Sequence, residues 1–149
     1  MNGYKELFEK YLSQLKEEIN SYKNEADIWK LAGDIKNTPG NLCLHICGNL
    51  KHNIGAIIGK TGYVRNRDAE FSRNNVPKNE LLKEVDSAIQ MISPVIDKLK
   101  DNDLKKAFSS DAISQGGSVG MILLRVGSHL GYHLGQINYH RRLVAMNND

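Results

Sequence analysis

Apolar residues recur at spacings of three and four along four separate stretches of the chain, with lysines, glutamates and other polar residues filling the positions between. In the first, residues 4–22, the apolar positions are Leu7, Phe8, Tyr11, Leu12, Leu15 and Ile19, the signature of an amphipathic helix. A second helix is expected over 39–58. Thr38 can cap it, Pro39 suits a first helical position, and the glycines of "GKTGY" supply stop and turn chemistry. A third, over 78–100, carries Leu81, Leu82, Val85, Ile89, Ile92 and Ile96 in phase, with Pro94 as an expected kink. The last spans 118–146 on the stripe Ile122, Val126, Leu130, Ile137 and Val144.

No alternating strand pattern separates these helices, and no internal repeat or low-complexity tract interrupts them. The expected fold is therefore all-α, a four-helix bundle forming a single domain over residues 1–149, with helix order and handedness left open. Residues 61–78 lack a sustained period and make an unusually long connection between the second and third helices, of the kind that tends to be functional or mobile. A short piece over 104–108 and a turn-like "SQGGSVG" lead into the last helix.

Composition narrows the class. At 149 residues the chain is about one domain, 40% hydrophobic and 25% charged. It has no apolar run approaching the ~20 residues of a membrane span. The N-terminal stretch is charged throughout and does not read as a secretory signal, so the cytoplasm is the expected compartment. A net charge of +3 with acids interleaved lacks the clustered basic footprint of a nucleic-acid binder. Cys43 and Cys47 fall four apart within the second helix and read as reduced, buried small hydrophobes.

The candidate chemistry lies in the histidines. In "SHLGYHLGQINYHRR" near the end of the chain, His133, Gln136 and His140 project within about 40° of His129 on a helix, forming one polar row. His129 and His133, at i and i+4, could serve one metal ion if a facing helix supplied a third ligand. The second helix offers His45, among apolar neighbours, and His52, in a more solvated setting. His45 is preferred, with Asn49 within about 40° of it. Cys43 and Cys47 lie about 160° away and cannot share its metal. His52 and His140 read as ordinary polar residues, His140 as solvent-facing or as a residue behind the ligands. Gln136 could orient a ligand, bond to substrate, or stand exposed.

Taken together, "PGNLCLHICGNLKHNIG", "GYVRNRDAEF" and "HLGYHLGQI" resemble the DinB/YfiT-like metalloenzyme superfamily, and more closely a bacterial branch carrying the same segments. The resemblance spans nearly the whole chain. It implies a four-helix bundle with one divalent metal on a histidine triad, which by position is His45, His129 and His133. Members of known activity are mostly metal-dependent transferases or isomerases that use a low-molecular-weight thiol.

Three neutral imidazoles leave the charge of a divalent ion uncompensated and coordination positions open, as catalytic sites do. A thiol or water held there would be acidified, so a thiol transferase and a hydrolase both remain readings, with a non-catalytic binding bundle as the third. Zinc or nickel is the first expectation, and iron or manganese is also considered. Arg65, Arg67, Asp68 and Glu70 could line the mouth of a small-molecule pocket and hold an anionic group, or could tie down a long loop with salt bridges. Arg125, one turn before His129, is a candidate for the same role. A homodimer through exposed apolar helix faces is a further expectation.

Overall fold

A computed structural model describes residues 2–108 and 117–146. The chain runs through α1 (Asn2–Asn20), a 3-10 turn (Glu25–Trp29), α2 (Pro39–Leu50), a π-helical continuation (Lys51–Ile58), α3 (Arg67–Ser72), α4 (Lys78–Lys98), α5 (Asp101–Leu104) and α6 (Val119–Met146). The expected turn at "SQGGSVG" lies in part outside the described residues. Next to it, Phe108 N–H donates to Gly117 C=O and Val119 N–H to Lys106 C=O, at 2.8 and 2.9 Å.

Each long helix buries the stripe its spacing predicts. On α1 these are Phe8, Leu12, Leu15 and Ile19, and on α4 Leu81, Val85, Ala88, Ile92 and Ile96. On α6 the stripe is Ile122, Leu123, Val126, Leu130, Leu134, Ile137 and Val144. α1 packs against α4 and α6, and α2 packs against the same two, so α1 and α2 stand diagonally across a four-helix bundle. α2 is buried along nearly its whole length, from Pro39 to Leu50 with Asn49 alone half-exposed. Cys43 and Cys47 are free, buried thiols, as expected.

The structure refines the sequence reading at three places. Thr38 caps α2 through Asn41 N–H at 3.2 Å, with Pro39 at the first helical position. The second helix then loosens into π geometry from Lys51, closed by Gly59 N–H donating to Ile54 C=O at 2.9 Å, a change of pitch that apolar spacing does not reveal. Pro94 is accommodated inside α4, which continues to Lys98.

The long 61–78 connection contains α3, and one residue of α2 fixes it there. Asn41 is buried, and its amide donates to the carbonyls of Glu70, Phe71 and Arg73 at 3.1, 3.3 and 2.9 Å. These oxygens lie at the C-terminal end of α3, where carbonyls have no helical partner. No helix among the described residues is long and apolar enough to cross a membrane.

Replacing Asn41 with Ala leaves these carbonyls without their donor. Urea denaturation of Asn41→Ala is expected to show a loss of about 1–3 kcal/mol, with faster amide exchange in α3 than in α4.

Candidate metal centre

The site begins with a buried histidine on α2 that has a carboxylate behind it. His45 is 6% exposed, and its Nδ1 lies 2.9 Å from Glu70 Oε2. Glu70, itself buried, accepts Arg65 Nε–H on Oε1 at 2.7 Å and an Arg65 Nη2–H on Oε2 at 2.8 Å, a two-pronged guanidinium–carboxylate pair. Burial works to raise the pKa of Glu70, but hydrogen bonds from His45 and Arg65 and the Arg65 charge outweigh it and hold the carboxyl below its usual range. Glu70 is therefore an anion at neutral pH. It accepts a hydrogen bond from His45 Nδ1–H and leaves Nε2 as the nitrogen with a free lone pair.

Space for this carboxylate is made by a glycine. A Cβ at Gly48 would sit 2.1 Å from Glu70 Oε1, so only glycine lets α2 carry the pair against its backbone. The same device appears one "GNL" segment earlier, where a Cβ at Gly40 would meet the Trp29 ring at 2.6 Å.

α6 supplies the other two histidines. His129 Nε2 lies 2.9 Å from His45 Nε2, and the imidazoles of His45, His129 and His133 stand at 83–85° to one another. One donor atom from each of the three falls within 4.8 Å of the others. Two nitrogens on one tetrahedral zinc are roughly 3.3 Å apart, given bonds of about 2.0–2.1 Å. The His45–His129 pair, at 2.9 Å, is near that spacing, and the His133 donor lies within 4.8 Å of both.

His133 has an orienting partner of its own, because Gln136 Oε1 accepts from Nδ1–H at 2.6 Å and leaves Nε2 to the cluster. Burial, then the neighbouring His133 and His45 imidazoles, and more weakly Arg65 and Arg67, push His129 down to about 4. Burial also lowers His133, against the raising influence of Gln136. Both are neutral at pH 7, the state in which imidazole ligates.

The other candidates disperse. Arg67 is exposed and lies over the Phe71 ring, 5.6 Å from its centre, and Phe71 in turn packs on His45 with ring centres 4.8 Å apart. Asp68 is exposed in the first turn of α3. Arg65 and Glu70 form the salt bridge that ties the loop to His45. Asn49 is half-buried, and its side-chain oxygen lacks a hydrogen-bond partner among the described residues. Arg125 is exposed on α6. His52 is partly buried outside the triad, with its pKa lowered by burial and by the Arg65 charge.

His140 corrects the sequence reading. It is buried at 5% exposure, with Nδ1 2.9 Å from Tyr22 Oη and Nε2 donating to Lys30 C=O at 2.9 Å. It pins α6 to the connection after α1, neither facing solvent nor standing behind a ligand. Its partners are remote in sequence, so the helical row alone could not reveal them. Phe71 likewise escaped notice, although its place one residue after Glu70 was a usable signal.

A family model described as a protein of unknown function (DUF1572) matches residues 1–148. The chain belongs to the DUF1572 family. A DinB-like protein from Bacillus cereus ATCC 10987 shares the fold of this DUF1572 chain with a TM-score of 0.77 at 13% identity, over 97% of this chain and 93% of that one. The chain thus has a DinB-like fold, as its motifs suggested. No curated protein matches it.

Two outcomes follow for this DUF1572 protein. Gly48→Ala is expected to displace Glu70 and Arg65 and lower the unfolding midpoint in urea, whereas Gly3→Ala in α1, where an added Cβ meets nothing within 4 Å, does not lower it. Burial, opposed by the hydrogen bond to Lys30 and the Asp27 charge, holds His140 below the ordinary 6.5. The unfolded chain therefore takes up that proton first, so the stabilisation is complete above about 6.5 and is lost as pH falls towards the folded value. Denaturation from pH 7 down to 5 is expected to show falling stability, with a shallower slope in His140→Gln.

Proposed function

We propose that His45, His129 and His133 hold one divalent transition metal, and that the protein is a metal-dependent transferase acting on a small molecule with a low-molecular-weight thiol. The observation that carries the metal reading is the convergence of three imidazole donors from α2 and α6 within 4.8 Å, two of them oriented through Nδ1 by Glu70 and Gln136. Histidines that served only packing would pair their ring nitrogens with fixed partners or with water, as buried His140 pairs with Tyr22 and Lys30; His45 is buried and His129 and His133 are half-buried. These three direct nitrogens at one another instead.

The donor set is all nitrogen and borderline in softness, which suits zinc or nickel first and iron or manganese less well. A divalent ion there supplies positive charge that favours the deprotonated form of a thiol beside it. The chain's own residues do the rest. Glu70 and Arg65 keep His45 in one tautomer and one orientation, and Gln136 does so for His133. Low imidazole basicity at His129 and His133 keeps their lone pairs available at neutral pH.

The thiol reading draws on the resemblance of the histidine motifs to DinB/YfiT-like enzymes that use a thiol, and on the mostly apolar lining of the cavity that His133 shares with Leu42, Tyr132 and Leu143. A nucleophile in such surroundings reacts with less competition from water.

The test is turnover of a panel of small electrophiles with metal and thiol each supplied or withheld. Activity that requires both is expected. Activity that persists without thiol, on ester or amide substrates, overturns the transferase in favour of a hydrolase. In the same protein, Glu70→Ala is expected to weaken metal binding by about 10–100-fold, measured by competition with a chromogenic chelator, while Cys43→Ala leaves it unchanged.

A further inference from the structure

A cavity of about 450 Å³ opens between the connection after α1 and the second half of α6, and it reaches the triad at His133. Its size falls within the range of small-molecule sites. The wall is mostly carbon, from Ile35, Pro39 and Leu42 on one side and Tyr132, Tyr139 and Leu143 on the other. Four of these remain exposed, with Ile35 at 41%, Leu143 at 52%, Tyr132 at 65% and Tyr139 at 68%. Apolar surface gathered around a concavity marks a binding site more often than scattered exposure does.

The polar groups in the lining restrict what can bind. His140 has committed both ring nitrogens, to Tyr22 and Lys30, and His133 has committed Nδ1 to Gln136. What remains is the Gln136 –NH2 and the Lys36 ammonium, both donors only, with the Asn37 amide and the Tyr132 and Tyr139 hydroxyls, which can donate or accept. No acidic side chain lines the cavity among the described residues. The surplus is of donors and of positive charge, at the edge of a carbon-lined space.

We propose that this cavity binds an amphipathic acid, a carbon chain or ring bearing one carboxylate. The carboxylate sits at the Lys36 rim and the apolar body lies between Leu42 and Tyr139. This rests on the reading of the triad only in that the far end of the ligand meets the reacting centre at His133; the binding itself uses the cavity walls and Lys36.

Isothermal titration of the full chain, metal-free and zinc-loaded, with hexanoate, decanoate and decylamine tests it. Decanoate is expected to bind one per chain, about tenfold or more tighter than hexanoate because added methylenes are buried, and decylamine is expected not to bind. Leu143→Glu places an unpaired charge against the chain and Lys36→Glu reverses the rim charge, and each is expected to weaken decanoate by about tenfold or more. Both positions are exposed, and unchanged thermal melting shows that the variants are folded.

Decanoate binding no tighter than hexanoate, decylamine binding as tightly as decanoate, or affinity unchanged in both variants overturns the proposal. So does a wild-type dimer in sedimentation that Leu143→Glu dissolves without decanoate binding to the monomer, because the face then covers a second copy. Zinc failing to bind while decanoate still does overturns the metal reading and leaves this proposal standing.

Discussion

A buried carboxylate cannot stand alone in a protein interior, and Glu70 is the charge around which the candidate site of this bundle is arranged. Left unpaired it would be protonated or excluded, since the cost of burying a lone charge is many times that of a hydrogen bond. The chain meets the requirement from two sides, with the Arg65 guanidinium and the His45 ring both directed at one carboxyl group. Breaking either contact leaves the remaining charge short of a partner. The loop that carries Arg65 and Glu70 is thereby tied to α2 by the same bonds that orient His45.

The rest of the site follows from how α2 is built. Asn41 holds the end of α3, and Gly48 leaves room for the carboxylate, so the two "GNL" segments act as the seat for Glu70. α2 is buried along nearly all its length between α4 and α6, which sets His45 opposite His129 and His133. A metal reading gives this polar cluster a reason to exist inside an apolar bundle, where three imidazoles facing one another would otherwise gain little. Neutral rings at His129 and His133 at physiological pH, produced by burial and by the neighbouring imidazoles, are the state that an ion could use.

Much of this could be read from the sequence because helix periodicity is local. The four amphipathic stripes, the Thr38 cap and the i, i+4 pairing of His129 with His133 each depend on residues a few positions apart. The preference for His45 over His52 needed only the apolar character of its neighbours, and the structure brings His45 to the pair. What the sequence did not disclose were contacts between distant segments. His140 looked like one more member of a polar row, yet Tyr22 and Lys30, more than a hundred residues away, bury it. The arginines and acids of the 61–78 loop looked equally fit to hold an anion or to pair with one another. Only the three-dimensional approach of Arg65 and Glu70 to His45 separates those outcomes. The π geometry after Lys51 carries no compositional mark that distinguishes it from an α-helical continuation.

The central claim is that three histidines from two facing helices form one metal centre. It is tested most directly by elemental analysis of protein purified without an affinity tag or chelator, beside His45→Ala, His129→Ala and His133→Ala. About one equivalent of a transition metal per chain is expected in the wild type, with tight binding lost in all three variants. Wild-type stoichiometry in any one of the variants, or no metal in the wild type after incubation with zinc, nickel, iron(II) and manganese salts, would contradict the account.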